Sequence, residues 1–214
     1  MIRKNAVLIA ILVSLSFLMI ATLLYPGGSI SNKNSVGFDW TKNFISNLFA
    51  TRAINGAENP SRIWALIGMV FHSASHALFF LNMSPKMPEK YSGIILKYLG
   101  LANMLFTFLI ATSLHDQMIV VSSTLFLIGL FFITVYILRT KLVLLKFSCI
   151  ICMLVFYYTL YLYGTGDWGL LAIMQKITFI SSMLLMLGLV YCSTAADFKP
   201  RRSAGHKQTA TGRV

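Results

Sequence analysis

The chain has 214 residues, 57% hydrophobic and only 11% charged, against roughly 45–50% and about 25% in soluble domains, which excludes an ordinary soluble fold. Its charges are lopsided, 18 Lys and Arg against 6 Asp and Glu for a formal +12, and they fall between long apolar runs. This describes an all-α integral membrane bundle, and it argues against nucleic-acid binding, which would gather the basic residues on one soluble face.

Six apolar stretches are long enough to cross a hydrocarbon core of about 30 Å, which takes about 20 helical residues. They are 5–25, 62–81, 93–114, 118–138, 142–163 and 170–192. None shows the two-residue alternation of a membrane barrel strand, so all are read as helices. Arg3 and Lys4 precede the first. Its apolar run is too long for a signal peptide and no A-x-A-like cleavage site follows, so it reads as a permanent helix. Pro26-Gly27-Gly28 ends it, because that triplet cannot continue a helix cheaply.

The connection 26–59 is long, and such connections are usually functional or disordered. Its first part, 27–37, is rich in Gly, Ser and Asn and reads as flexible. Beyond it Trp40, Phe44 and Leu48 recur every four residues, with Ile45 and Phe49 alongside and Asp39, Lys42, Asn43, Ser46 and Asn47 on the other face. That spacing predicts a short amphipathic helix, lying at the membrane surface or over the bundle mouth.

The second span opens at Asn59-Pro60, a capping side chain followed by a proline whose missing N–H costs nothing in the first turn. Within it His72 and His76 share a face. Their i, i+4 spacing suits metal ligands, but His115, the obvious third, belongs at a different depth. The pair reads instead as packing within a small-residue face over 68–77, from Gly68 to Ala77. Such a face suits close helix contact, including contact with a membrane-protein partner.

His115-Asp116-Gln117 separates the third and fourth spans and predicts a tight antiparallel hairpin there. In the fifth span Cys149 and Cys152 have a redox-like spacing, yet nothing nearby offers a cation to activate a thiol, so they read as apolar packing. Phe156, Tyr157, Tyr158, Tyr161 and Tyr163 approach the outer interface, where aromatic rings anchor helices. Lys176 lies about 10 Å into the sixth span by helical rise. An ionisable group at that depth normally faces the bundle interior and has a partner.

Thirteen Lys and Arg fall on one side of the spans and four on the other. The positive-inside rule then places both termini in the cytoplasm, with the protein in the plasma membrane. The organisation is a transmembrane domain over 1–196 and a basic, disordered tail over 197–214 that touches anionic headgroups.

On the outer side Lys176 is joined by Gln175, His115, Asp116, Asp39, Asn43 and Asp167. These are the candidate ligand-binding residues of a polar pocket for a membrane lipid headgroup or similar amphiphile. Lys176 would hold an anionic part, and the others would supply hydrogen bonds or move protons. An internal ion pair that fixes helix packing is the competing account of the lysine. Two other functions fit less closely. One is a small proton-coupled transporter or exchanger along His72, His76 and Lys176; the other is a non-catalytic partner for a second membrane protein. No phosphate loop, nucleotide-binding glycine pattern or nucleophile elbow is present. No nucleophile–base pair can be named, and no cofactor or metal is implied.

Several short features occur in a familiar order. Tyr25-Pro26-Gly27 ends the first helix, Asn43-Phe44-Ile45-Ser46-Asn47-Leu48 follows, then Asn59-Pro60-Ser61, then His115, then Gly166 and Gln175-Lys176. This order resembles the six-helix membrane family called domain of unknown function 998, distantly similar to the Frag1/DRAM/Sfk1 group of lipid-related proteins. The resemblance implies the six-helix fold and a connection to lipid, and carries no activity. Two departures stand out: Asn47 and Phe49 occupy the positions where the family usually has an acidic residue and a glycine.

Overall fold

A computed structural model describes residues 2–199. Among them the chain forms six long helices: α1 (Ile2–Leu24), α2 (Ser61–Met83), α3 (Lys90–Leu109), α4 (His115–Ile137), α5 (Val143–Thr165) and α6 (Trp168–Cys192). All six are long and apolar enough to cross a membrane, so the chain is read as a multi-pass membrane protein. Each helix packs on its neighbour in sequence, and α6 closes the bundle against α1 and α2. The most enclosed helix is α2. The perimeter is apolar: Leu23, Leu144, Leu154 and Leu184 all point outward, as lipid-facing side chains should.

Lipid tails are as apolar as leucine, so burial alone does not hold such helices together; close packing does. Phe80 shows how. It is fully buried, wedged between α3 and α4 at Gly100 and Gly129, where an added Cβ would overlap the Phe80 side chain. Gly68 admits Leu18 of α1 in the same way. The small-residue face over 68–77 is thus largely spent inside the chain, with Ser73, Ser75 and Ala77 buried.

The third helix ends five residues before the expected 114. The turn is 110–114, and His115 and Asp116 open α4 rather than forming the hairpin loop. Polar side chains explain the shift. The His115 ring donates from Nδ1 to the Ile110 carbonyl at 2.7 Å, and the Thr112 hydroxyl accepts from the Leu114 N–H at 3.2 Å. Asp116 then sits in the first turn of α4, where a carboxylate favours the positive end of the helix dipole.

The expected amphipathic helix is not what forms between α1 and α2. Residues 39–43 make a turn, Phe44 is extended, and only Ile45–Phe49 is helical, as a 3-10 turn. Short polar side chains outcompete the helix for its own backbone. The Asp39 carboxylate accepts from the Thr41 N–H and hydroxyl at 2.8 and 2.7 Å. Asn43 accepts from the Asp39 N–H at 2.8 Å, and Asn47 accepts from the Phe44 N–H at 2.7 Å. The stretch expected to be flexible is a closed loop with an antiparallel bridge between Gly27 and Val36. Its Gly28 has φ +82° and presses against the backbone of Asn55, where no side chain fits.

The opposite end carries an unexpected buried cation. Lys86 follows α2 in a 3-10 turn (Ser84–Lys86) and is 8% exposed. Its ammonium donates to the carbonyls of Leu189, Val190 and Ser193 at 3.0–3.1 Å. Those groups lie at the C-terminus of α6, the negative end of its dipole, where a cation is favoured. Residues beyond α6 fold back as far as Phe198, which is buried. Asp197 accepts from the Thr194 hydroxyl and N–H, bonds that hold its carboxyl below the usual range, with Lys86 adding to the effect. Most of the expected tail, 200–214, lies outside the described residues.

Candidate functional site

The segment between α1 and α2 forms a lid over one end of the bundle. Asn43 is fully buried and donates to the Gly28 carbonyl at 2.7 Å. Asn59 donates to Ala50 at 2.8 Å and Leu48 at 3.2 Å. The phenol of Tyr25 accepts from the Ile54 N–H at 3.1 Å, and burial pushes its pKa up. Leu48 and Phe49 turn inward against Tyr25, Ala65 and Met69. Hydrogen bonds from Thr41 hold the Asp39 carboxyl below its ordinary range.

Two neighbouring residues of α6 fasten the lid. Lys176 donates to the Asn43 carbonyl, to the Ala172 carbonyl at 2.7 Å, and lies 5.8 Å from the centre of the Phe38 ring. Gln175 accepts from the Ile45 N–H at 2.8 Å. The hydrogen-bond partners of Lys176 are therefore main-chain carbonyls, with an aromatic face beside them.

Beneath the lid lies a cavity of about 330 Å³, walled by α2 to α6. Its mouth is polar and aromatic: Phe44 and Ser46 from the lid, His115 and Asp116 from α4, Tyr163 from α5 and Trp168 from α6. The shaft is mostly apolar, through Phe49, Ile110, Ile119, Leu160 and Leu171. The hydroxyls along it are largely paired with one another, Thr107 with Ser122 at 2.6 Å and Thr159 with Thr178 at 2.7 Å. From Asp116 to Phe126 along α4 the cavity runs about 15 Å by helical rise.

His72 and His76 form its floor. The His76 Nδ1 lies 3.0 Å from the His72 carbonyl. A carbonyl only accepts, so Nδ1 carries the proton and the neutral ring offers Nε2 as an acceptor. The His72 Nδ1 is buried without a partner. The two rings are 4.6 Å apart, with His72 stacked on Phe179 and His76 edge-on to Phe126.

The residues singled out from the sequence divide into three groups. His115, Asp116 and Gln175 line the cavity. Lys176 and Asn43 are joined to each other in the lid clamp and do not line it. Asp39 caps a lid turn, and Asp167 caps α6 by accepting from the Leu170 N–H at 3.2 Å. Three histidines, His72, His76 and His115, share the cavity wall, yet among the described residues no three His, Cys, Asp or Glu come together as metal ligands. Cys149 and Cys152 are buried, unpaired and away from the cavity. Phe44, Trp168, Thr107, Ser122 and Thr178 were not foreseen as lining residues. The only signal for the last three was a hydroxyl on an otherwise apolar helix.

No family model, curated protein or solved structure matches this chain. The site has to be read from its own chemistry.

Proposed function

We propose that the protein binds an amphiphile, a membrane lipid or a molecule like one, with its headgroup at the cavity mouth and its chain in the shaft. The cavity itself carries the reading: one continuous space, polar and aromatic at the mouth, mostly apolar along the shaft and ending on two histidines. Its volume lies within the range of small-molecule sites, about 300–1,000 Å³, and at about 30 Å³ each it would take roughly ten groups the size of a water. The positive-inside count supports an outward-facing lid and mouth. The sequence resemblance is to a six-helix membrane family of no assigned activity, distantly similar to a lipid-related group, and is compatible with this reading.

A transport reading draws on the two histidines at the floor. Below them the bundle is filled by Phe80, Leu130 and Ile133, each fully buried, and this favours binding over conduction. No reaction is assigned, because among the described residues no nucleophile is hydrogen-bonded to either imidazole ring; the Ser75 hydroxyl is spent on the His72 carbonyl.

Native mass spectrometry of gently extracted protein tests the reading. A copurifying amphiphile is expected in the unaltered chain and should be lost in Ile119→Trp, which fills the shaft. Ile128→Trp, at an outward-facing position of the same helix, should keep it. Equal retention in both variants would place the amphiphile on the perimeter and end the proposal.

A further inference from the structure

The mouth has a chemistry of its own. Trp168 stands at 90° to Phe44 with ring centres 6.5 Å apart, and at 87° to Tyr163 with centres 6.0 Å apart. Both contacts are edge-to-face, and a cation within roughly 6 Å of a ring centre is attracted to the ring face. All three rings line the cavity. Tyr157, Tyr158 and Tyr161 do not line it and suit the ordinary interfacial belt, whereas Trp168 lines it while remaining half exposed.

The walls are held from behind. Gly166, with φ +76°, ends α5, and Asp167 caps α6. This short turn sets Tyr163 beside Trp168. Phe44 is fixed by its N–H to Asn47 and by its neighbour Ile45 on Gln175.

Charge completes the pattern. Asp116, at the start of α4, lies close to the Tyr163 hydroxyl. Apart from the titratable imidazoles, Asp116 is the one charged residue among those lining the cavity. The nearby cation, Lys176, is turned into the lid on carbonyls. A carboxylate beside three aromatic rings suits a bulky, weakly hydrated cation better than an anion.

We propose that the mouth recognises a quaternary ammonium group, and that the amphiphile is of choline type, with Phe44, Tyr163 and Trp168 as walls and Asp116 as counter-charge. This rests on the amphiphile reading above and gives it a headgroup class.

The test uses the full chain in nanodiscs of phosphatidylethanolamine and phosphatidylglycerol, which contain no quaternary ammonium. Three probes are titrated with empty discs subtracted: the decyl ether of choline, the decyl ether of dimethylbutanol (the same shape without the charge), and choline itself. The charged ether is expected to bind about tenfold tighter than the neutral one. Asp116→Asn and Trp168→Leu should bring it to within about twofold of the neutral ether, with Trp168→Phe retaining most of the preference. Equal binding of the two ethers by the unaltered chain, a comparison that needs no variant, would overturn the headgroup assignment and leave the cavity reading standing. Binding of neither ether would remove both. Choline as tight as its ether would keep the aromatic box and overturn the amphiphile.

Discussion

The Lys176 ammonium donates to the main-chain carbonyl of Asn43, 133 residues earlier in the chain, and so ties the last helix to the segment that covers the bundle. A cation on a carbonyl is a charge-assisted bond, stronger than a neutral one. It also removes the lysine from the cavity wall, which leaves the mouth to Asp116.

Lys176→Met should therefore loosen the lid. Losing a hydrogen bond to a charged group costs about 1.5–3 kcal/mol, read as a lower unfolding midpoint in micelles. Amide hydrogen exchange over 43–49 should quicken while exchange at the centre of α2 stays slow. Unchanged exchange in the lid would show that the clamp holds nothing.

Lys86→Met should destabilise the other end. The substitution leaves carbonyls of Leu189, Val190 and Ser193 without their shared cation, at a cost of about 2 kcal/mol. Exchange should rise at the end of α6 and in 193–199, with ligand binding retained. A loss of binding without a loss of stability would contradict this purely structural role.

Gly100→Ala should cost about 1–3 kcal/mol, because the new methyl meets the Phe80 side chain and overpacking forces a shift. Gly164→Ala, where nothing lies within 4 Å, should instead be neutral or gain up to about 1 kcal/mol from helix propensity. Thermal unfolding of the two variants side by side checks the contrast.

The proposed orientation can be tested with an impermeant thiol reagent on intact cells carrying Cys192→Ser. Val36→Cys, highly exposed on the lid loop, should label. Lys141→Cys, between α4 and α5, should react only after permeabilisation. The reverse pattern would invert the topology.

Hydropathy reveals the spans because lipid demands a continuous apolar run whatever the helices pack against. Hence all six helices were legible along the chain, and the boundary that moved most, the end of α3, was set by a local bond from His115 to Ile110. The lid was misread because the periodicity of Trp40, Phe44 and Leu48 competes with Asp39, Asn43 and Asn47 for the same backbone groups. Periodicity does not weigh that contest. Gln175, His115 and Asp116 were recognisable as polar groups near one mouth, whereas Phe44 read as part of an amphipathic face, Tyr163 as an interfacial anchor, and Trp168 carried no signal of its own.

By itself, the sequence determined that this chain is helical, apolar on its outer faces and divided into six spans, since those properties depend on composition within each segment. Only the tertiary structure decided which polar side chains face the cavity and which serve the scaffold. Lys176 and Asp116 both carry a charge near the same end, and their roles part because one ammonium reaches a carbonyl of the lid while one carboxylate is left at the opening. That outcome depends on how α4, α6 and the lid approach one another, which no single segment encodes.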